Sequence, residues 1–397
     1  MLGLGLATSK GGFVDALAEV TNTKSILFDG TNDFIQFGDS DVVTDNFTIS
    51  GWVKPTDASD FGIIMSKYDD NTTYKSDRVF RIVISGSVCI CTIKTSSGNN
   101  LATSTTTTTL SDGEWFHFSF TNDGSNLKGY INGVLEDTDS TASGSLNSSN
   151  QNFLIGAQYV NTVVDNEFGG NIDEVGIWNE ALTASEVAQI YNGSKANFDL
   201  SQNGGGYTSA SNLQAWWRMG DGTLDDFPLI GDQTNTTLGA ELINTNVTSN
   251  LSYWQSGGND GITIVDNTVR IENDSNSLIR LKSTTTGSQL GALSENLEVG
   301  QAYKLQADIK VNIDAGASMS WFVSTLGQFL MTDTEETVDF STFTLYFTAN
   351  SATALQLKTS GMASGEITFI KNISLKKVIN GGIMTNMTSG AIETDTP

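Results

Sequence analysis

The 397-residue chain holds two cysteines, three prolines and one histidine. Each scarcity excludes something. With His117 alone, paired-histidine acid–base chemistry and multi-histidine metal sites are ruled out by counting. Cys89 and Cys91 stand two apart in VCICTI, where strand alternation puts both side chains on one face. A disulfide between such near neighbours would be strained, so they read as small core residues, and reducing surroundings fit better than a disulfide-stapled scaffold. Basic residues are also few. Twenty Lys and Arg against 45 Asp and Glu give a net charge of −25, which repels phosphate backbones and anionic lipid and argues against nucleic acid. No apolar run reaches the roughly 18 residues of a membrane span, so membrane insertion is not expected. The opening MLGLGLATSKGGFVDALAEV has neither the basic start nor the cleavage site of a signal peptide.

What is present points to β structure. Forty glycines, with abundant Thr, Ser and Asn, suit many short strands joined by tight turns. Hydrophobic residues make up 38% and charged residues 16%, enough apolar material for a sizeable core. The length exceeds the roughly 250–300 residues one core sustains, so two domains are expected.

Between residues 24 and 198, short apolar runs alternate with Gly, Asn, Asp and Ser clusters, as in a β-sandwich. In YINGVL, Asn132-Gly133 between apolar pairs signals a two-residue type I′ hairpin. One helix follows in ALTASEVAQIYNG: Thr183 and Glu186 form a capping box, Leu182 and Val187 a hydrophobic staple, and Gly193 the stop. Residues 199–235, with Gly204-Gly205-Gly206, read as a linker plus a short WWRMGDG element. A second sandwich is expected over 236–378, where YKLQADIKVNI alternates strictly between apolar and polar residues. Residues 379–397 read as a tail and residues 1–23 as an apolar docking segment for a partner chain. The Thr105–Thr109 run and the Ser/Asn-rich stretch before residue 152 read as strand flanks or exposed loops.

The ordered set SILFDGTNDFIQFG, FTISGWVKP, GEWFHFSFT, GYINGVLEDT, FLIGA and GNIDEVGIWNEALTASEVAQIYNG resembles the laminin-G-like, concanavalin A-like jelly-roll family over residues 24–198. The second domain resembles a carbohydrate-binding-module type of β-jelly roll, on GAELI with Trp254, VGQAYKLQADIKV and ITFIKNISLKKV. NLQAWWRMGDGTLDDFPLIGDQT resembles a leading strand segment of laminin-G-like domains, with the C-terminal tail as its continuation. The second jelly roll would then be inserted, and its flanks should meet in space. Such tandems resemble structural proteins of tailed phages, marine ones especially. The resemblance implies a non-enzymatic virion protein made in the host cytoplasm, released by lysis and displayed on the particle surface in several copies or as a homo-oligomer. Its implied partners are capsid, tail or fibre proteins and cell-surface glycans. A purely architectural virion protein and a bacterial surface adhesin are the alternatives.

The resemblance also implies a structural Ca²⁺ at Asp29, Gly30 and Asp33 in FDGTND and Asp173 in NIDE. Carboxylates and a turn carbonyl supply the oxygens calcium prefers. The competing reading is that Asp29 and Asp173 only accept hydrogen bonds from turn amides. Sugar rings would stack on aromatic faces beside polar side chains. The candidates are Tyr68, Tyr74 and Tyr159 in the first domain, and Tyr253, Trp254 and Trp321 in the second. Enzyme activity is not expected. The E-x-D-x-E strand of related glucanases is missing, and adjacent Asp173 and Glu174 should point to opposite faces of a strand.

Overall fold

The computed structural model describes residues 19–39, 43–71, 75–96, 101–193, 195–234, 238–255, 261–272, 278–281, 290–312, 319–323, 328–333, 339–349, 355–360, 365–379 and 381–397. It is nearly all β, arranged as two sandwiches with one α-helix among the described residues. In the first sandwich, one sheet runs in the order Val134–Asp139, Leu127–Ile131, Phe116–Asn122, Phe47–Pro55, Gly169–Trp178, Ser25–Asp29, Ile392–Glu393, and Leu213–Trp217 also pairs with Gly169–Trp178. The facing sheet runs Leu229–Gly231, Gly381–Thr385, Phe34–Gln36, Leu154–Ile155, Gly62–Tyr68, Arg78–Ser85, Val88–Lys94, Leu101–Thr105. Apolar side chains such as Ile26, Ile82, Phe118, Phe120, Phe153, Ile172 and Trp217 fill the space between them. Cys89 and Cys91 are free thiols in this core, and burial raises the pKa of both, as expected of small apolar fillers.

The local signals act where the sequence puts them. Asn132 and Gly133 take φ of +49° and +77°, the left-handed pair that a two-residue hairpin between Leu127–Ile131 and Val134–Asp139 requires. Thr183 and Glu186 close the reciprocal capping box of the helix Ala184–Asn192, and Leu182, Val187 and Ile190 are buried against Trp178, Phe198 and Trp216. Gly193 ends the helix for a different reason from the expected one. Its φ is −82°, and a Cβ there would lie 2.6 Å from the Phe198 ring and 2.7 Å from the Gln189 carbonyl oxygen, so crowding demands glycine.

The segments flanking the second sandwich are strands of the first. Leu213–Trp217 pairs along Gly169–Trp178, with Val175 opposite Trp217. Leu229–Gly231 pairs with Gly381–Thr385, Leu229 opposite Ile383, and Gly381–Thr385 pairs in turn with Phe34–Gln36. Ile392–Glu393 adds to Ser25 and Ile26. Linker and tail are thus corrected to structural parts of the jelly roll. The triple glycine sits in a packed turn: Gly204 and Tyr207 exchange backbone bonds of 3.0 and 2.9 Å, and the buried Tyr207 hydroxyl accepts from Trp178 Nε1 at 2.7 Å and donates to the Leu200 carbonyl at 2.9 Å. A fragment ending at Phe198 lacks the strands supplied from residues 213–217, 229–231, 381–385 and 392–393. It is expected to be insoluble or without a cooperative melt, checked by near-UV circular dichroism and calorimetry.

In the second sandwich, one sheet runs Gly261–Val265, Thr268–Glu272, Ile367–Val378, Ala302–Asn312, Ser341–Thr348, with Leu238–Glu241 on Ile367–Val378. The other runs Trp254–Gln255, Leu278–Leu281, Leu355–Ser360, Met319–Val323, Gln328–Asp333. Tyr303, Leu305, Ala307, Ile309 and Val311 are buried while Lys304, Gln306, Asp308 and Lys310 are not, the alternation written in the sequence. The two sandwiches meet through Leu229, Ala302, Tyr346, Val378 and Ile383. Beside this apolar patch, Asp226 accepts from Lys304 Nζ at 3.0 Å and from the Tyr346 hydroxyl at 2.8 Å.

Candidate functional site

A cleft of about 200 Å³ opens at one end of the first sandwich, lined by Asp29, Asp57, Asp60, Phe61 and Glu167 with the backbone at Gly30 and Gly169. Gly30, at φ +72°, follows the strand Ser25–Asp29, and a Cβ on it would lie 3.2 Å from Gly169 Cα. The two glycines therefore let the ends of neighbouring strands close up beneath the cleft. Asp57 heads the connecting loop and accepts from Ser59 N at 2.9 Å and Ser59 Oγ at 2.6 Å, which holds its pKa below the usual range. Phe168 turns inward against Phe28, ring centroids 6.4 Å apart, and leaves its neighbour Glu167 facing the cleft. Burial, then the charges of Asp165 and Asp29, raise the Glu167 pKa. Phe61 is 39% exposed, its ring 6.0 Å from the Arg81 guanidinium. An apolar ring among carboxylates and open backbone is suited to a ligand with one C–H-rich face and many hydroxyl donors.

Of the residues expected to hold calcium, Asp29, Gly30 and Asp33 share one turn, while Asp173 lies apart from them. Asp29 lies opposite Gly169 in the antiparallel ladder, and Asp173 is four residues further along that strand, roughly 13 Å away. Asp29 Oδ1 accepts from Thr31 N at 2.8 Å and Asn32 N at 3.2 Å, and Asp33 Oδ2 accepts from Asp29 N at 3.0 Å, bonds that shape the turn around Gly30. Asp173 is buried, accepting from Glu174 N and from Asn22 Nδ2, each at 2.8 Å. Among the described residues, no group of three or more His, Cys, Asp or Glu side chains is placed to hold a metal ion.

Nor do the expected aromatics form a platform. Tyr68 is buried, its ring 5.2 Å from the Arg78 and 4.7 Å from the Arg81 guanidinium. Tyr159 is half-buried, its hydroxyl accepting from Asn152 Nδ2 at 3.1 Å. Tyr74 lies outside the described residues. Tyr253, Trp254 and Trp321 belong to the second core. The two indoles meet edge to face at 6.0 Å, Trp254 Nε1 donates to the Val247 carbonyl at 2.9 Å, and Trp321 Nε1 donates to Thr368 Oγ1 at 3.1 Å. Each indole N–H thus finds a partner inside, so nothing draws the ring to the surface. Phe61, which sequence reasoning missed, is one of two exposed phenylalanines among the described residues, with Phe227, and it is the one that lines the end cleft. Its signal was DASDFG, an aromatic flanked by turn formers rather than set in an alternating run.

Two other polar groupings are internal. The ladder shifts register between Asp173 and Gly176, with Glu174 at φ +46°, so this bulge corrects the expected opposite-facing arrangement and buries both acids. Arg218 Nε and Trp216 Nε1 donate to Glu174 at 3.0 and 2.6 Å. Burial raises the pKa of both acids. Ser50 Oγ lies 2.8 Å from His117 Nε2, but both side chains are buried, and burial lowers the imidazole pKa to about 3. His117 Nδ1 has no hydrogen-bond partner, so no carboxylate orients this ring as nucleophilic catalysis by serine requires.

Residues 29–188, all within the first sandwich, match the family model of the concanavalin A-like lectin/glucanases superfamily. Among solved structures, the chain resembles a Bacteroides ovatus protein provisionally described as carbohydrate-binding, at 19% identity over 54% of this chain and 56% of that one, TM-score 0.41. It thus spans little more than half that protein's length. It also resembles the heptameric SAP-like pentraxin of Limulus polyphemus, at 16% identity over 50% of this chain and 92% of that one, TM-score 0.36. The CBM40 module of the Ruminococcus gnavus IT-sialidase, solved with α2,3-sialyllactose, is similar at 14% identity over 43% of this chain and 100% of that one, TM-score 0.35. No match is found among curated proteins.

Proposed function

We propose that the protein is a non-enzymatic glycan-binding protein carried on the surface of a virion, the first sandwich gripping sugar at its end cleft. The observation that carries the glycan reading is Phe61, 39% exposed beside Asp57, Asp60 and Glu167 in a domain matched to a lectin and glucanase superfamily. Stacking on one aromatic ring is worth about 1 kcal/mol beyond its buried area. Phe61→Ala is therefore expected to weaken binding to the best ligand of a glycan array about tenfold, measured by calorimetry, without altering the melting temperature. Unchanged affinity would move the site elsewhere.

The virion part of this reading draws on the resemblance of the tandem modules to tailed-phage proteins. Its partners are capsid, tail or fibre proteins in a multi-copy assembly. Of the segment 1–23 proposed to dock on them, residues 1–18 lie outside the described residues, and the part that follows is bonded to the first sandwich and not free to dock. Val20 N donates to the Asn197 carbonyl at 2.8 Å, Asn22 N to Asn197 Oδ1 at 3.0 Å, and Arg218 Nη2 to the Thr21 carbonyl at 2.7 Å. Deleting residues 1–18 should leave these bonds and the melt intact while removing the protein from particles, scored by particle proteomics. Wild-type occupancy would place the attachment surface on the sandwiches.

A further inference from the structure

The junction of the two sandwiches forms a second cleft, at about 380 Å³ nearly twice the volume of the end cleft. We propose that this junction is a binding site for neutral carbohydrate, built jointly by both domains; the inference rests on the glycan-binding reading and specifies a second site and its ligand class. The first sandwich contributes Asp39, Asn150 and Asn152, and the second contributes Glu298 to Gln301 and Lys377. Asp39 follows the strand Phe34–Gln36 at the end opposite Asp29 and Asp33, so the two clefts lie at opposite ends of the first sandwich.

The site is held in place from both sides. Gln36 Nε2 donates to the Gly300 carbonyl at 3.4 Å, tying the first domain to the loop that carries Val299. Gly300 N donates to the Ala349 carbonyl at 2.8 Å, and Gln301 Nε2 donates to the Val378 carbonyl at 2.5 Å. Gly38, at φ +73°, presents bare backbone to Gln301, where a Cβ would lie 3.2 Å from Oε1. A side chain at Gly38 would therefore crowd the Gln301 amide at this point.

These bonds leave polar atoms over. Asn152 uses one N–H of its Nδ2 on the Tyr159 hydroxyl, which leaves Oδ1 and a second N–H. Gln301 uses one N–H of its Nε2 on Val378, which leaves Oε1 and a second N–H. Asp39 gives Oδ1 to Lys67 Nζ at 2.7 Å and keeps Oδ2, while Glu298 gives Oε2 to Lys377 Nζ at 2.7 Å and keeps Oε1. The cleft thus offers acceptor oxygens beside amide N–H donors, and its one lining cation is paired with Glu298. A ligand rich in hydroxyl donors and without charge satisfies such a surface. An anionic sugar or phosphate would compete with Glu298 for Lys377 and face Asp39, on a chain of net charge −25. Val299, 64% exposed, supplies an apolar wall for the C–H face of a pyranose.

The full-length protein is tested on an array of neutral gluco-, galacto- and manno-oligosaccharides beside sialylated and uronate-bearing ones, and the best ligand is titrated by calorimetry. Asn152→Ala and Gln301→Ala are expected to weaken a neutral ligand at least tenfold at constant melting temperature. Val299→Asp, an exposed substitution that spares the fold and sets a charge against the ring face, should do the same. If these variants bind as wild type while Phe61→Ala abolishes binding, the junction site is refuted and the glycan reading stands. If the junction variants lose an acidic ligand instead, the assigned class is refuted. If the wild-type protein binds no glycan at all, the glycan reading falls and this inference with it.

Discussion

Replacing Glu186 by alanine is expected to lower stability by about 2 kcal/mol at pH 7, more than the loss of an ordinary surface charge. Its carboxylate accepts from Thr183 N at 3.0 Å, Thr183 Oγ1 at 2.9 Å, Thr208 N at 3.2 Å, Thr208 Oγ1 at 3.0 Å and Ser209 Oγ at 2.8 Å. One side chain thereby caps the helix Ala184–Asn192 and ties it to the segment leading into Leu213–Trp217. Although burial alone would raise its pKa, the hydrogen bonds outweigh it and pull the acid down to about 2. Because this folded-state value lies below that of the unfolded chain, the stabilisation is complete above about pH 4.5 and is lost as pH falls towards 2. The difference between wild type and Glu186→Ala in urea titrations should therefore shrink steadily over that range. A difference that stays constant with pH would show that packing rather than charge is responsible.

His117 should produce a large pH effect. Ser50 Oγ also lies 3.3 Å from the Phe118 carbonyl as a donor, so the tautomer that satisfies every donor has His117 Nε2–H donating to Ser50 and leaves a bare lone pair at Nδ1. Protonating that nitrogen would bury an N–H and a charge without a partner, which is why burial holds the imidazole pKa near 3. The unfolded chain takes up the proton at about pH 6.5, so this contribution is full above that pH and is lost as pH falls from about 6.5 towards 3. Between pH 7.5 and 4.5 it removes about 2–3 kcal/mol of stability. His117→Gln should lower stability at pH 7.5 yet remove that part of the slope. The raised pKa values of Asp173 and Glu174 act in the opposite sense and are present in both proteins, so the difference between them isolates the histidine. As the only histidine, its ring resonances need no assignment by mutation. They should stay those of neutral imidazole from pH 8 to 4, and a titration near pH 6.5 would defeat the prediction.

What the sequence determined by itself was local or periodic. Period-two alternation marked the Ala302–Asn312 strand, Asn132-Gly133 the hairpin between Leu127–Ile131 and Val134–Asp139, and Thr183 with Glu186 the start of the helix, because each depends on neighbours within a few residues. The two-sandwich class followed from the same signals repeated. Only the tertiary structure decided the rest. Asp29 and Asp173 occupy segments that pair, yet strand register, set by long-range packing, puts them about 13 Å apart. A bulge that alternation does not announce buried Glu174 against Trp216 and Arg218, and Trp254 and Trp321 became core once they met each other within one sheet of the second sandwich. The Thr105–Thr109 run, read as a strand flank or exposed loop, continues the strand Leu101–Thr105 and lies with it against the strand Val134–Asp139: Asp139 and Asp137 accept from Thr103 N and Thr105 N at 2.6 and 2.9 Å, and Glu136 accepts from Thr107 N and Thr108 N at 2.7 and 2.9 Å. Those carboxylates satisfy the amides of a sheet edge and join the two sheets along one side. The junction cleft belongs to the same class, since Asn152 and Gln301 are 149 positions apart in the chain and share a wall only because the second jelly roll is inserted between paired strands of the first.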